Sequence, residues 1–94
     1  MRDSNGGDRR MNGRQIRTLE AVFADPISRT IAWSDLEGLL LAAGAVLVEG
    51  SGSRVKFRKG TLVAAFHRPH PAKEAKPYQV RDAREFLVKI GVMP

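Results

Sequence analysis

The stretch Ser53–Arg58 constrains the fold most, because polar and apolar residues alternate along it between two turn signals that contain glycine. Such alternation predicts a β-strand with one face in the core and the other face open. Gly50-Ser51 precedes the stretch and Lys59-Gly60 follows it. Two-residue turns on both sides predict that strands over 45–49 and 61–67 pair with it as an antiparallel meander.

The same alternation assigns the side chains of the middle strand to two faces. The residues expected to face the core are Ser53, Val55 and Phe57, and those expected on the open face are Arg54, Lys56 and Arg58. A sheet with one cationic face must bury its other face against helices.

Helical spacing of apolar residues predicts three helices, over 14–24, 34–44 and 79–90. Ser34 followed by Glu37 has the pattern of a capping box, which predicts that Ser34 caps the second helix. Trp33 is expected in the core rather than as a platform for base stacking. The predicted fold is therefore α+β, in the order α-α-β-β-β-α, with the helices packed on one face of a three-stranded sheet.

Length and composition predict a single domain over residues 11–94, preceded by a disordered polar tail over 1–10. Met1 and Met11 both stay open as the native start. The chain has no cysteine, which excludes disulfides and a cysteine nucleophile. The apolar run over 39–48 is too short to span a bilayer, so a cytoplasmic protein without a membrane partner is expected.

The net charge of +6 is concentrated in one segment. Residues 51–81 hold eight Arg and Lys residues against one acidic residue, Glu74, while the rest of the chain is close to neutral. This pattern favours a nucleic acid as the partner. A solvated basic face and a site for an acidic protein are the alternatives.

Two-residue turns would place Glu49, Gly52 and His67 in one row on the open face, with Arg54 diagonal to His67. The Glu49 carboxylate could then orient the His67 imidazole across the glycine. The alternative is that His67 only ends a strand. The sequence has no His-x-x-x-His or paired-acid spacing, so neither a metal nor a cofactor is predicted.

These motifs resemble the HicA (YcfA-like) toxin family over roughly residues 14–92. The matching features are Trp33-Ser34-Asp35-Leu36 before a leucine-rich helix, Gly44, the turn over 49–53, the basic strand, the Pro-His loop over 67–71 and a helix ending at Gly91. The resemblance implies a fold like that of double-stranded-RNA-binding domains. It also implies an mRNA-cleaving toxin of a type II toxin–antitoxin system, masked by a HicB antitoxin.

The chain departs from the family pattern at one position that matters for chemistry. In typical members a histidine follows the Gly-Ser pair within one or two residues, whereas Arg54 and Val55 stand there in this chain. Either His67 performs the catalytic role from the adjacent strand, or the domain binds RNA or an antitoxin and has lost cleavage.

Cleavage without a metal requires a base, an acid and cations near the phosphate. We expect His67 to act as the base with Glu49 orienting it, and His70 is the second candidate acid. The residues expected to bind RNA are Gly52, Ser53, Arg54, Lys56, Arg58, Arg68, Lys73 and Lys76.

Overall fold

The computed structural model describes residues 11–94, and the tail predicted over 1–10 lies outside the described residues. The elements are α1 (Gly13–Val22), α2 (Trp33–Ala42), β1 (Val46–Glu49), β2 (Arg54–Lys59), β3 (Leu62–His67) and α3 (Pro77–Lys89). The predicted α+β class and the order α-α-β-β-β-α are confirmed. The strands form an antiparallel sheet in the order β1-β2-β3.

The predicted cap of α2 is wrong. Ala32 is the N-cap residue and no side chain caps the helix, so α2 begins at Trp33. The reason is tertiary, because the residues before α2 pair with the segment before α3. The backbone N–H of Trp33 donates to the Lys73 carbonyl at 2.8 Å. This bond satisfies the first N–H of the helix without a side-chain cap.

The second hairpin turns one residue later than predicted, through Gly60 and Thr61. Lys59 pairs with Leu62, and Gly60 adopts the left-handed conformation that this turn needs. The pairing therefore differs from the predicted one by two residues. An even shift keeps every side chain on its face, because strand side chains alternate with a period of two. His67 stays on the open face as predicted, and it lies directly opposite Arg54 rather than diagonal to it.

In the first hairpin, the observed pairing of β1 with β2 differs from the predicted pairing by three residues, which is an odd shift. Glu49 pairs with Val55 and not with Gly52. The connection is longer than a two-residue turn, since the Gly50 N–H donates to the Arg54 carbonyl at 2.9 Å and Gly52 is left-handed between them. The predicted position of Glu49 on the open face is therefore wrong, and Glu49 lies on the side of the sheet that carries the helices.

The core lies between the three helices and one face of the sheet. Val55 and Phe57 are buried on that face, as predicted, whereas Ser53 precedes β2 and is exposed. Trp33 is 7% exposed and packs edge-on against Phe66, with ring centroids 5.3 Å apart, which confirms its place in the core. The opposite face of the sheet has no helix on it among the described elements.

Candidate nucleic-acid interface

The uncovered face of the sheet carries a row of cations along its middle strand. Arg54, Lys56 and Arg58 are all exposed on β2, as the alternation predicted. Their neighbours on the same face are Val46 and Val48 on β1, and Val63, Ala65 and His67 on β3. Within residues 11–94, no carboxylate lies at ion-pair distance from the three cations. No carboxylate of the described residues therefore neutralises their charge.

His67 lies at the end of this face beside Arg54. The two residues are direct cross-strand partners, and the Cβ atoms of such partners are about 5 Å apart. The Ser53 hydroxyl lies 3.5 Å from the His67 Nδ1, and the Ser53 carbonyl accepts the Arg68 N–H at 2.9 Å. The contact from Ser53 is to Nδ1, so Nε2 is the imidazole nitrogen left for another partner.

The side chain of Gln79 holds the backbone of His67 in place by a hydrogen bond. This residue is 1% exposed, and its side-chain Nε2 donates to the His67 carbonyl at 2.7 Å. Its Oε1 accepts the N–H of Lys76, the N-cap residue of α3, at 2.9 Å. A single buried amide thus joins the end of β3 to the start of α3, and it holds Lys76 close to His67.

Arg68 and Glu49 form an ion pair away from His67. The Arg68 guanidinium donates to Glu49 at 3.0 and 3.1 Å and to Glu37 of α2 at 3.0 and 3.3 Å. The hydrogen bonds to Glu37, followed by those to Glu49, raise the pKa of Arg68. The hydrogen bond from Arg68 holds the pKa of Glu49 below its usual value. Glu49 is therefore not placed to orient His67, and the guanidinium donors of Arg68 are already used by carboxylates.

The remaining predicted residues lie in the loops at this end of the molecule. Gly52 and Ser53 belong to the loop between β1 and β2. His70 and Lys73 are exposed in the segment between β3 and α3, and the Lys73 carbonyl is bonded to Trp33. The described contacts do not join His70 to His67.

Two further properties bear on the kind of site this is. Over residues 11–94, the structure has no group of three or more His, Asp or Glu side chains that could hold a metal ion. The helices of this same range are too short or too polar for any of them to cross a membrane.

Sequence reasoning missed two residues that build the site. Gln79 is the third residue of a helix that begins at Pro77, and a glutamine there commonly accepts the N-cap N–H. The helix predicted over 79–90 begins at Gln79, so Gln79 is not at the third position of that helix and its capping pattern is missed. Glu37 has the spacing of a capping residue, but it accepts the Trp33 indole N–H at 2.7 Å and binds Arg68.

Comparison with known proteins identifies a family. The model of the family described as HicA toxin of bacterial toxin-antitoxin matches residues 33–91, which is more than half of the chain. The matched range includes α2, the whole sheet and α3. No curated protein and no solved structure matches the chain.

Proposed function

The chain belongs to the HicA family of toxins from bacterial toxin–antitoxin systems, and on that premise we propose that it cleaves mRNA as a metal-independent endoribonuclease. Its proposed partners are mRNA and a HicB-like antitoxin, and its proposed location is the cytoplasm. The observation that carries the proposal is the pair formed by His67 and Arg54 at the end of an uncovered cationic face.

The row of Arg54, Lys56 and Arg58 is the proposed contact with the RNA backbone. Residues two apart on one face of a strand are about 6.6–6.8 Å apart, so the row can follow successive phosphates. Among the described residues, the face carries valine, alanine and His67 but no Phe, Tyr or Trp on which a base could stack. Phosphate contacts should therefore supply most of the affinity. Lys73, Lys76 and the loop residues Gly52 and Ser53 extend the contact at the His67 end.

The chemistry that this pair supports is attack by the ribose 2′-hydroxyl. The His67 Nε2 accepts the hydroxyl proton, the 2′-oxygen bonds to phosphorus, and the bond from phosphorus to the 5′-oxygen breaks. The products are a 2′,3′-cyclic phosphate and a 5′-hydroxyl, whose proton comes from His70 or from water. Arg54 lies opposite His67 and stabilises the charge on the phosphate oxygens. Ser53, rather than Glu49, is the group that orients the imidazole.

An antitoxin that covers the same face would explain its exposed apolar residues. Val46, Val48 and Val63 are 50%, 42% and 52% exposed beside the cations. Val46 and Val48 lie on one side of the cation row and Val63 lies on the other side. Burying such exposed apolar side chains favours the binding of a protein partner. We propose that the HicB-like antitoxin brings carboxylates to the cations and apolar side chains to the valines.

The second candidate function is RNA or antitoxin binding without cleavage. It is favoured by the residue after the Gly-Ser pair, which is Arg54 where the family resemblance leads us to expect a histidine. In that case the face and its cations keep their role, and His67 only ends β3.

A cleavage assay with EDTA present separates the two functions. Purified protein is incubated with mRNA, and wild type is compared with His67→Ala and with His70→Ala. We expect wild type to release fragments with cyclic phosphate ends and His67→Ala to release none, while each variant still binds RNA. Binding of intact RNA by wild type without cleavage would support the second function.

A further inference from the structure

A small apolar pocket lies beside Arg54, on the side away from His67. We call it the Val48 pocket, and its lining residues are Val48, Glu49, Gly50, Ser51, Arg54, Val55 and Lys56. Val48 and Lys56 are direct cross-strand partners on the open face, and Val48 is 42% exposed. The pocket thus combines a mostly apolar lining with two cationic residues, Arg54 and Lys56.

The loop forms the remaining wall because of a close approach at Gly50. A Cβ atom on this residue would lie 3.0 Å from the Arg54 Cβ and 3.2 Å from the Arg54 carbonyl oxygen, closer than most real Cβ contacts. Glycine lets the loop backbone lie against Arg54 and bring Ser51 to the pocket. The Glu49 carboxylate is turned to the other face and bound to Arg68, so its charge is compensated there.

The position of the Val48 pocket relative to Arg54 and His67 indicates what kind of ligand it would bind. His67 is on β3, Arg54 is opposite it on β2, and Val48 is on β1. Val48 pairs with Lys56, two residues along β2 from Arg54, so it lies diagonal to Arg54 on the open face. Adjacent strands are about 4.8 Å apart, which places Val48 about 10 Å across the sheet from the strand that carries His67. A phosphate held by Arg54 and His67 would have an attached nucleoside within reach of the pocket.

We infer that the Val48 pocket binds the nucleobase next to the phosphate held by Arg54, an inference that rests on the proposed RNA function. A base is a flat apolar ring with polar edges. Its face would lie on the Val48 side chain, its edge would meet the Ser51 hydroxyl, and the Arg54 guanidinium would contact both the ring and the phosphate. The interface would then read a base at one position and the backbone elsewhere.

The test compares RNA with and without a base. Fluorescence anisotropy measures binding of a short 2′-O-methyl RNA, which lacks the attacking hydroxyl, and of the same oligonucleotide with base-free sugars. We expect wild type to bind the base-bearing RNA at least about threefold more tightly. Val48→Gln should lose this preference. Val63→Gln, a matched change at an exposed valine of the same face outside the pocket, should keep it.

Three results would overturn the inference, and they can be told apart. Equal affinity of wild type for both RNAs would show that no base is bound, while the proposed RNA function stands. If Val48→Gln keeps the preference, a base is bound outside the Val48 pocket, and the proposed RNA function again stands. If neither RNA binds, the proposed function fails and this inference fails with it. The comparison on wild type needs no variant, so it holds even if Val48→Gln does not fold.

Discussion

At the scale of single residues, two glycines show that the effect of a glycine-to-alanine change on stability depends on the surrounding structure. Gly50 has Arg54 atoms close to where its Cβ would be, whereas nothing lies within 4 Å of a Cβ at Gly38, inside α2. We expect Gly50→Ala to destabilise the protein by about 1–2 kcal/mol. The same change at Gly38 should stabilise it by about 0.5–1 kcal/mol, because glycine is unfavourable inside a helix. Urea denaturation measures both, and destabilisation by both changes would contradict the account.

The ion pair of Arg68 with Glu49 makes a second prediction at this scale. The folded-state pKa of Glu49 is lowered by Arg68, so its contribution to stability is present above the ordinary glutamate pKa of about 4.3 and is lost as the pH falls through the lowered pKa. We expect wild type to be more stable than Glu49→Gln at pH 7, with the difference disappearing on acidification.

Denaturation curves at a series of pH values measure that difference. The matched control repeats the Glu49→Gln change in an Arg68→Gln background, where the cation that lowers the pKa is gone. A difference between wild type and Glu49→Gln that stays constant from neutral to acid pH would count against the ion pair. The effect should be small, because the pair is exposed to solvent and screened.

At the scale of elements, the side chain of Gln79 links the end of β3 to the start of α3 by hydrogen bonds. Replacing it with methionine, which has a similar shape and no amide, leaves the His67 carbonyl and the Lys76 N–H without their partner. An unsatisfied buried polar group costs about 1–3 kcal/mol. We expect Gln79→Met to lower the free energy of unfolding, measured by urea denaturation, by an amount in this range.

The same variant tests whether the hydrogen bonds of Gln79 position His67 for the proposed RNA cleavage. If Gln79 positions His67, cleavage should lose kcat while KM for RNA changes little, because the cations of β2 are untouched. Gln15→Met serves as the control, since Gln15 also accepts an N-cap N–H but does so at the start of α1. Equal effects of both changes on kcat would show only a general loss of stability.

The hairpins show which part of an element the sequence can predict. Alternation in β2 identified the strand and both of its faces, because the period of two is a local property of extended backbone. The predicted pairing partners are wrong in both hairpins, since they depend on which loop residues take left-handed conformations. The even error in one hairpin preserved His67 on the open face, and the odd error in the other moved Glu49 off it.

At the scale of the whole molecule, the separation of charge predicts how binding responds to salt. RNA binding through phosphates should weaken with salt by a logarithmic slope of about −0.7 per contact on a single strand. We expect Lys56→Gln to reduce the slope by about that amount. Arg17→Gln removes the same charge from α1, on the side of the sheet that carries the helices, and should leave the slope unchanged. Equal slopes for Lys56→Gln and wild type in filter-binding titrations would argue against the interface.

The sequence by itself determined the α+β class, the element order, the cationic face of β2 and the burial of Trp33, because each follows from short-range periodicity or from residue size. Tertiary structure alone decided that Arg68 is held by Glu37 and Glu49, that Gln79 supports His67, and that Ala32 replaces Ser34 at the start of α2. These contacts join residues distant in the chain, and their geometry depends on loop conformation and on the packing of helices against the sheet, which no local pattern encodes.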